Sequence, residues 1–90
     1  MLRVKILGIR SNERYIIRRL VLAAQKDLTL LFPDNKLEIS EVSDPSEIGK
    51  YAHVLIRPTL LIKEKTVCSG RIPAKEEIIV WLKEGIESLR

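Results

Sequence analysis

Few side chains in this 90-residue sequence could carry catalytic chemistry. The single cysteine, Cys68, falls in the short apolar segment 66–69, where a free cysteine commonly packs as a small hydrophobic residue. The same thiol could instead be reactive and form mixed disulfides or a bridge between two chains. The single histidine, His53, has no second histidine or cysteine at ligand spacing, so we expect no metal site. A glycine-rich phosphate loop and a nucleophile elbow are also absent from the sequence.

Composition and charge narrow the classes of partner. Lysine and arginine number 16 against 12 aspartates and glutamates, and the net charge is +4. Most charged residues in the segment 1–26 are basic, whereas most charged residues in the segment 27–50 are acidic. Charges of both signs nevertheless alternate along most of the chain, and only 4% of the residues are aromatic. Nucleic-acid binding is therefore not expected.

Several features predict a cytoplasmic protein. No run approaches the ~20 apolar residues of a membrane span, so we expect no membrane association. Residues 1–5 lack the apolar region of a signal peptide, and one cysteine cannot form the intrachain disulfide typical of small secreted domains. The length predicts one domain over residues 1–90.

The most apolar run, residues 54–63, surrounds Pro58. Because proline cannot donate a hydrogen bond within a sheet, we expect Pro58 to precede a strand over residues 59–63. A turn at residues 64–65 and a second strand over residues 66–69 complete a predicted hairpin. After it, Pro73 is expected to open the last helix, because an apolar stripe begins at Ile78.

The first half of the chain alternates between strand and helix patterns. Residues 3–8 and 36–42 alternate between polar and apolar side chains and predict two strands. Between them, a helix is predicted over residues 12–31, with Ser11 or Asn12 as its N-cap. Its expected buried stripe consists of Ile16, Ile17, Leu20, Val21, Ala24, Leu28 and Leu31. Pro45 then begins a short helix that ends near Tyr51, with Ser43 or Asp44 as the cap.

The predicted order is β-α-β-α-β-β-α. A right-handed crossover makes the first two strands parallel, and the hairpin completes a four-stranded mixed sheet. In this order, and in residues 6–8, 47–51, 57–60 and 69–78, the chain resembles the small thioredoxin-like and glutaredoxin-like redox proteins of archaea and bacteria. The resemblance implies an α/β, thioredoxin-like fold over nearly the whole chain. It also implies that the Arg57–Pro58 peptide bond is cis and that Pro58 faces the position of the family's active site.

The chain departs from that family at its redox motif. The family carries a Cys-x-x-Cys motif at the start of the first helix, where the helix N-terminus lowers the pKa of the first thiol. The matching residues here are Ser11, Asn12, Glu13 and Arg14. Dithiol exchange by the family mechanism is therefore excluded.

The resemblance also implies that three arginines meet around the N-terminus of the first helix. We expect this basic patch to bind a small anion or an acidic segment of a partner. Alternatively, the arginines are solvated and pair with Glu13 and Glu47. The predicted binding residues are Arg10, Ser11, Asn12, Arg14, Arg57 and Pro58.

These observations favour a non-enzymatic, redox-inactive thioredoxin-fold module that binds a protein or peptide without a cofactor. The last strand of the hairpin is an expected edge of the sheet and could pair with a second copy to form a homodimer. One alternative is a monothiol or glutathione-linked oxidoreductase that uses Cys68. Another is a protein-interaction domain similar to the clock protein KaiB, whose sequence around the proline is matched by residues 58–60.

Overall fold

The computed structural model describes residues 2–34, 36–51 and 58–88. Its elements follow the predicted order. They are β1 (Leu2–Leu7), α1 (Ser11–Leu28), β2 (Leu37–Val42), α2 (Pro45–Tyr51), β3 (Thr59–Ile62), β4 (Lys65–Ser69) and α3 (Lys75–Glu87). Within these ranges, no helix is both long enough and apolar enough to cross a bilayer.

The four strands form one mixed sheet in the order β2-β1-β3-β4. β1 and β2 are parallel, with Leu2 opposite Leu37 and Leu7 opposite Val42. β3 is antiparallel to both β1 and β4. The thioredoxin-like fold predicted from the sequence is confirmed. β1 is an inner strand because β2 pairs with one of its edges and β3 with the other.

The main core lies on one face of the sheet. Alternation along β1 places Leu2, Val4 and Ile6 on this face, where all three are buried. α1 and α3 bury their apolar stripes in the same cluster, with Val21 and Leu82 among the buried residues. The burial that holds the fold together is therefore concentrated between the sheet and these two helices.

The other face of the sheet is covered only in part by the described elements. Ile48 of α2 packs against Leu7 and Leu61 in a small second cluster. The α2 bounds agree with the prediction, and an Asp44 carboxylate oxygen accepts a hydrogen bond from the backbone N–H of Ser46 at 3.0 Å. This contact supports Asp44 as the cap that was predicted before Pro45.

α1 ends at Leu28, three residues before the predicted end. The backbone N–H groups of Leu31 and Phe32 both donate to the carbonyl oxygen of Leu28, and Phe32 is buried in the main core. Because the chain turns to bring Phe32 into the core, Leu31 is exposed rather than part of the buried stripe. Ile16 is also exposed, since neighbouring helical residues point about 100° apart and Ile17 occupies the buried face.

The other helix and strand bounds differ from the predictions by one or two residues. α3 begins at Lys75 rather than at Pro73, and Ile78, Leu82 and Ile86 form its buried stripe. Leu89, the next apolar residue at helical spacing in the sequence, lies outside the described residues.

The hairpin turn contains Lys63 and Glu64, one residue earlier than predicted. Both residues have positive φ angles, 55° and 66°, as the two central residues of a type I′ turn require. Neither residue is the glycine or asparagine that usually marks such a turn, so the sequence carried no signal for its position. A bulge follows in β4: Leu60 pairs with Cys68 and Leu61 with Thr66, so Val67 has no opposite partner.

Candidate functional site

The candidate site lies at the end of the sheet where β1 leads into α1 and β3 begins. Pro58 is buried there between two loops. A Cβ atom built on Gly8 would lie 3.7 Å from the Pro58 Cα, so the β1–α1 loop packs closely on the proline. From the other side, the Gly70 N–H donates to the Pro58 carbonyl oxygen at 3.0 Å. Gly70 has φ +86°, a conformation that favours glycine.

Arg14 fastens the β1–α1 loop. Its guanidinium donates to the carbonyl oxygens of Gly8 at 2.7 Å and Ile9 at 3.1 Å. It also donates to a Glu41 carboxylate oxygen at 3.1 Å, and its side chain is only 14% exposed. The Arg14 charge is therefore engaged within the fold by three acceptors.

Glu41 also accepts a hydrogen bond from Arg18 at 3.0 Å. The expected alternative partners of the arginines were Glu13 and Glu47, but Glu41 is the partner that the structure describes for Arg14 and Arg18. Glu47 instead pairs with Lys50 at 3.2 Å. β2 supplies the acceptor because parallel pairing with β1 places Glu41 opposite Ile6, near the end of the strand that leads into α1.

The N-terminus of α1 lacks a side-chain cap. Arg10 occupies the N-cap position with extended backbone, and its side chain caps nothing. The prediction that Ser11 or Asn12 caps the helix is wrong, because α1 begins at Ser11 and both residues lie inside its first turn. Arg10, Ser11 and Asn12 are all exposed, and Arg10 forms no ion pair with any described residue.

Part of the predicted site lies outside the described residues. Arg57 and His53 both fall in residues 52–57, and the predicted cis bond joins Arg57 to Pro58. The convergence of three arginines and the cis bond therefore remain predictions. Within the described ranges, no cluster of three His, Cys, Asp or Glu side chains could hold a metal ion.

Two exposed isoleucines flank the site. Ile9 follows Gly8 in the β1–α1 loop, and Ile72 follows Gly70 and Arg71 in the β4–α3 loop. Neither residue was among the binding residues predicted from the sequence. A signal was present, because each is a single large apolar side chain next to an arginine in a segment that is neither strand nor helix.

Cys68 is buried in the main core, with only 6% of its surface exposed. Its thiol contacts the Arg71 carbonyl oxygen at 3.6 Å, at the limit of a weak S–H···O hydrogen bond. Burial raises the pKa of the Cys68 thiol, an effect that the Arg71 charge opposes and the Glu77 charge reinforces. The thiol is therefore protonated at neutral pH and shielded from solvent.

Arg71 and Glu77 hold the β4–α3 loop. Two parallel hydrogen bonds of 2.8 and 2.7 Å join the guanidinium to the carboxylate, which also accepts from the Ala74 N–H at 3.1 Å. The hydrogen bonds from Arg71, and next the one from Ala74, lower the pKa of Glu77 to about 2. The carboxylate thereby stabilises both the loop and the first turn of α3.

The lowered pKa of Glu77 predicts a pH-dependent stability. The contribution of the Glu77 carboxylate to the free energy of unfolding is fully present above its ordinary pKa of 4.5. It is lost as the pH falls toward about 2. We expect Glu77→Gln to have a lower Tm than the parent at pH 6, with the difference shrinking as the pH falls through this range. Thermal unfolding of the parent and the variant between pH 6 and pH 2 measures this difference in Tm. The control is Glu76→Gln, on the neighbouring exposed residue; a constant Tm difference for Glu77→Gln at every pH would contradict the assignment.

A separate cleft of about 420 Å³ lies between the hairpin and the last turns of α3. Ile62, Lys63 and Trp81 contribute to its lining. Because Ile62 is at the opposite end of β3 from Pro58, this cleft does not belong to the candidate site.

Comparison with known proteins agrees with this architecture. A family model described as a thioredoxin domain matches residues 15–83, more than three quarters of the chain. The matched residues include Pro58 and begin immediately after Arg14. No curated protein and no solved structure matches the chain. With the β-α-β-α-β-β-α order and the loops that meet at Pro58, the match shows that the chain belongs to the thioredoxin domain family.

Proposed function

We propose that this thioredoxin-family domain binds a protein or peptide segment at the loops around Pro58 and does not exchange disulfides. The proposal rests on the burial and the raised pKa of the Cys68 thiol. Cys68 is packed in the core, burial raises its pKa, and the sequence contains no second cysteine that could resolve a mixed disulfide. A protonated, inaccessible thiol is a poor nucleophile.

The surroundings of Pro58 support a binding role. Ile9 and Ile72 offer exposed apolar contacts on the two flanking loops, and Arg10 offers a positive charge with no partner among the described residues. This combination suits an extended segment that carries apolar and acidic side chains. In thioredoxin-like proteins the proline loop holds extended peptides through backbone hydrogen bonds, a mode that needs no thiol.

The redox part of the proposal is tested by the rate at which an aromatic disulfide reagent modifies Cys68. We expect modification in the native chain to be at least about 100-fold slower than in the unfolded chain, because the thiol must first be uncovered by an opening of the core. A double variant, Cys68→Ser with Thr66→Cys, is the control, since Thr66 is an exposed residue of the same strand. Fast native modification with a thiol pKa below about 8.5 would favour a monothiol or glutathione-linked oxidoreductase instead.

The binding part is tested with a displayed library of random, extended peptides. We expect selected peptides to contain acidic and apolar residues and to lose about tenfold or more in affinity for Ile9→Ser and Arg10→Glu. Val80→Ser is the matched control, because Val80 is an exposed apolar residue on α3. Equal affinity for the parent and both loop variants would reject this surface.

A further inference from the structure

The outer face of α1 exposes apolar side chains well beyond the candidate site. Three of the eight large apolar side chains that the described chain exposes lie on α1. Among them, Tyr15 is 59% exposed, and Ile16 and Leu22 lie further along the helix. Exposed apolar residues concentrated on one element are typical of an interaction surface.

Tyr15 and Ile16 line a shallow groove of about 330 Å³. The Arg19 guanidinium lies 5.8 Å from the centre of the Tyr15 ring, which places a cation at the wall of the groove. We call this surface the α1 groove, and its lining residues are Tyr15, Ile16, Arg19, Leu20 and Ala23.

The helical repeat arranges the side chains on this face of α1 in rows. Residues seven apart lie nearly above one another, so Tyr15 and Leu22 form one apolar row, and Ile16 lies about 100° around the helix from Tyr15. Arg19 and Lys26 are also seven apart and form a basic row between the Tyr15 row and Ile16. The rise of 1.5 Å per residue separates the two cations by about 10 Å along the axis.

The basic row is not neutralised within the described chain. Arg14 and Arg18 of the same helix pair with Glu41, and Asp27 pairs with Lys75 at 2.8 Å. By contrast, Arg19 and Lys26 are exposed and form no ion pair with a described residue. The groove thus combines apolar walls with an unbalanced positive charge.

We propose that the α1 groove binds an acidic amphipathic helix of a partner protein. A large apolar side chain of that helix enters the groove, and two carboxylates seven residues apart lie opposite Arg19 and Lys26. A symmetric contact with a second copy would bring the two Arg19 charges together near the axis, which disfavours self-association. Insertion into a lipid surface would carry Arg19 and Lys26 into the apolar layer, because both lie between apolar residues.

The probes are two synthetic helical peptides that differ only in charge. One carries glutamates seven residues apart flanked by leucines, and the other carries lysines at the same positions. We expect the acidic peptide to shift the amide NMR signals of residues 15–26 and to bind at least about tenfold more tightly than the basic peptide. Arg19→Glu combined with Lys26→Glu should reverse that preference, and Ile16→Ser should weaken acidic-peptide binding about tenfold.

Control variants separate this surface from the loops around Pro58. Val80→Ser and Ile9→Ser should both leave binding of the acidic helix unchanged, so failure at one surface is distinguishable from failure at the other. Equal binding of the two peptides, or no shift in α1 at about 1 mM peptide, would overturn the proposal. It would also be overturned by a dimer in sedimentation that Ile16→Ser abolishes, or by binding to anionic vesicles without binding to the acidic peptide.

Discussion

Replacement of Leu82 by alanine should lower the free energy of unfolding by about 2–5 kcal/mol. Leu82 is fully buried in the main core, and truncation removes its apolar contacts and leaves a cavity between α3 and the sheet. A domain of this kind is stable by only about 5–15 kcal/mol, so the loss would be a large fraction of the total. Urea unfolding followed by far-UV circular dichroism measures it.

Val80→Ala provides the matched control on the same helix. Val80 is 52% exposed, and its truncation should cost less than about 0.5 kcal/mol. If Leu82→Ala does not fold, Ile78→Val offers a graded version, with an expected loss of about 0.5–1.5 kcal/mol. Equal losses at the buried and exposed positions would contradict the packing of α3 on the sheet.

Replacement of Arg14 by methionine should destabilise the protein by about 2–3 kcal/mol. Methionine retains much of the apolar volume but leaves the Gly8 and Ile9 carbonyl oxygens without their guanidinium donor, and Glu41 keeps only its contact with Arg18. Arg14→Lys should recover less than half of the loss, because one ammonium group cannot reproduce the planar array of donors. Urea unfolding reports the stability, and amide exchange at Gly8, whose N–H donates to Val42, reports the loop.

Arg18→Met is the control for Arg14→Met, since Arg18 shares Glu41 but its side chain is 40% exposed. An exposed ion pair of this kind contributes about 0–1 kcal/mol. Similar losses for the two variants would mean that the carbonyl contacts of Arg14 contribute little. A larger loss at Arg14, with faster exchange at Gly8, is the outcome that the geometry predicts.

The role of Arg14 bears on the redox motif that the resemblance predicts to be replaced in this chain. That resemblance predicts that Ser11 and Arg14 correspond to the two cysteines of the family motif. In this chain the second of these positions holds the β1–α1 loop against Pro58 and joins it to β2 through Glu41. Introducing cysteines at both positions would therefore remove a structural contact as well as add thiols.

The sequence alone determined the order of elements and the sheet topology. Alternation in β1 and β2, helical spacing in α1 and α3, and the positions of Pro45 and Pro58 are local patterns whose consequences do not depend on distant residues. The predicted sheet order also brings Gly8, which follows β1, next to Pro58, which precedes β3. The burial expected for Cys68 was also correct.

Contacts between residues far apart in the chain could not be predicted from the sequence, because they depend on how the elements pack. Arg14 contacts Glu41, 27 residues further along the chain, because β2 pairs with β1. No local sequence pattern predicts that contact. The end of α1 depends on Phe32 turning into the core, and exposure of Ile9 and Ile72 depends on what the neighbouring loops leave uncovered. Local sequence sets which elements can form, whereas burial and ion pairing are properties of the surfaces that those elements bring together.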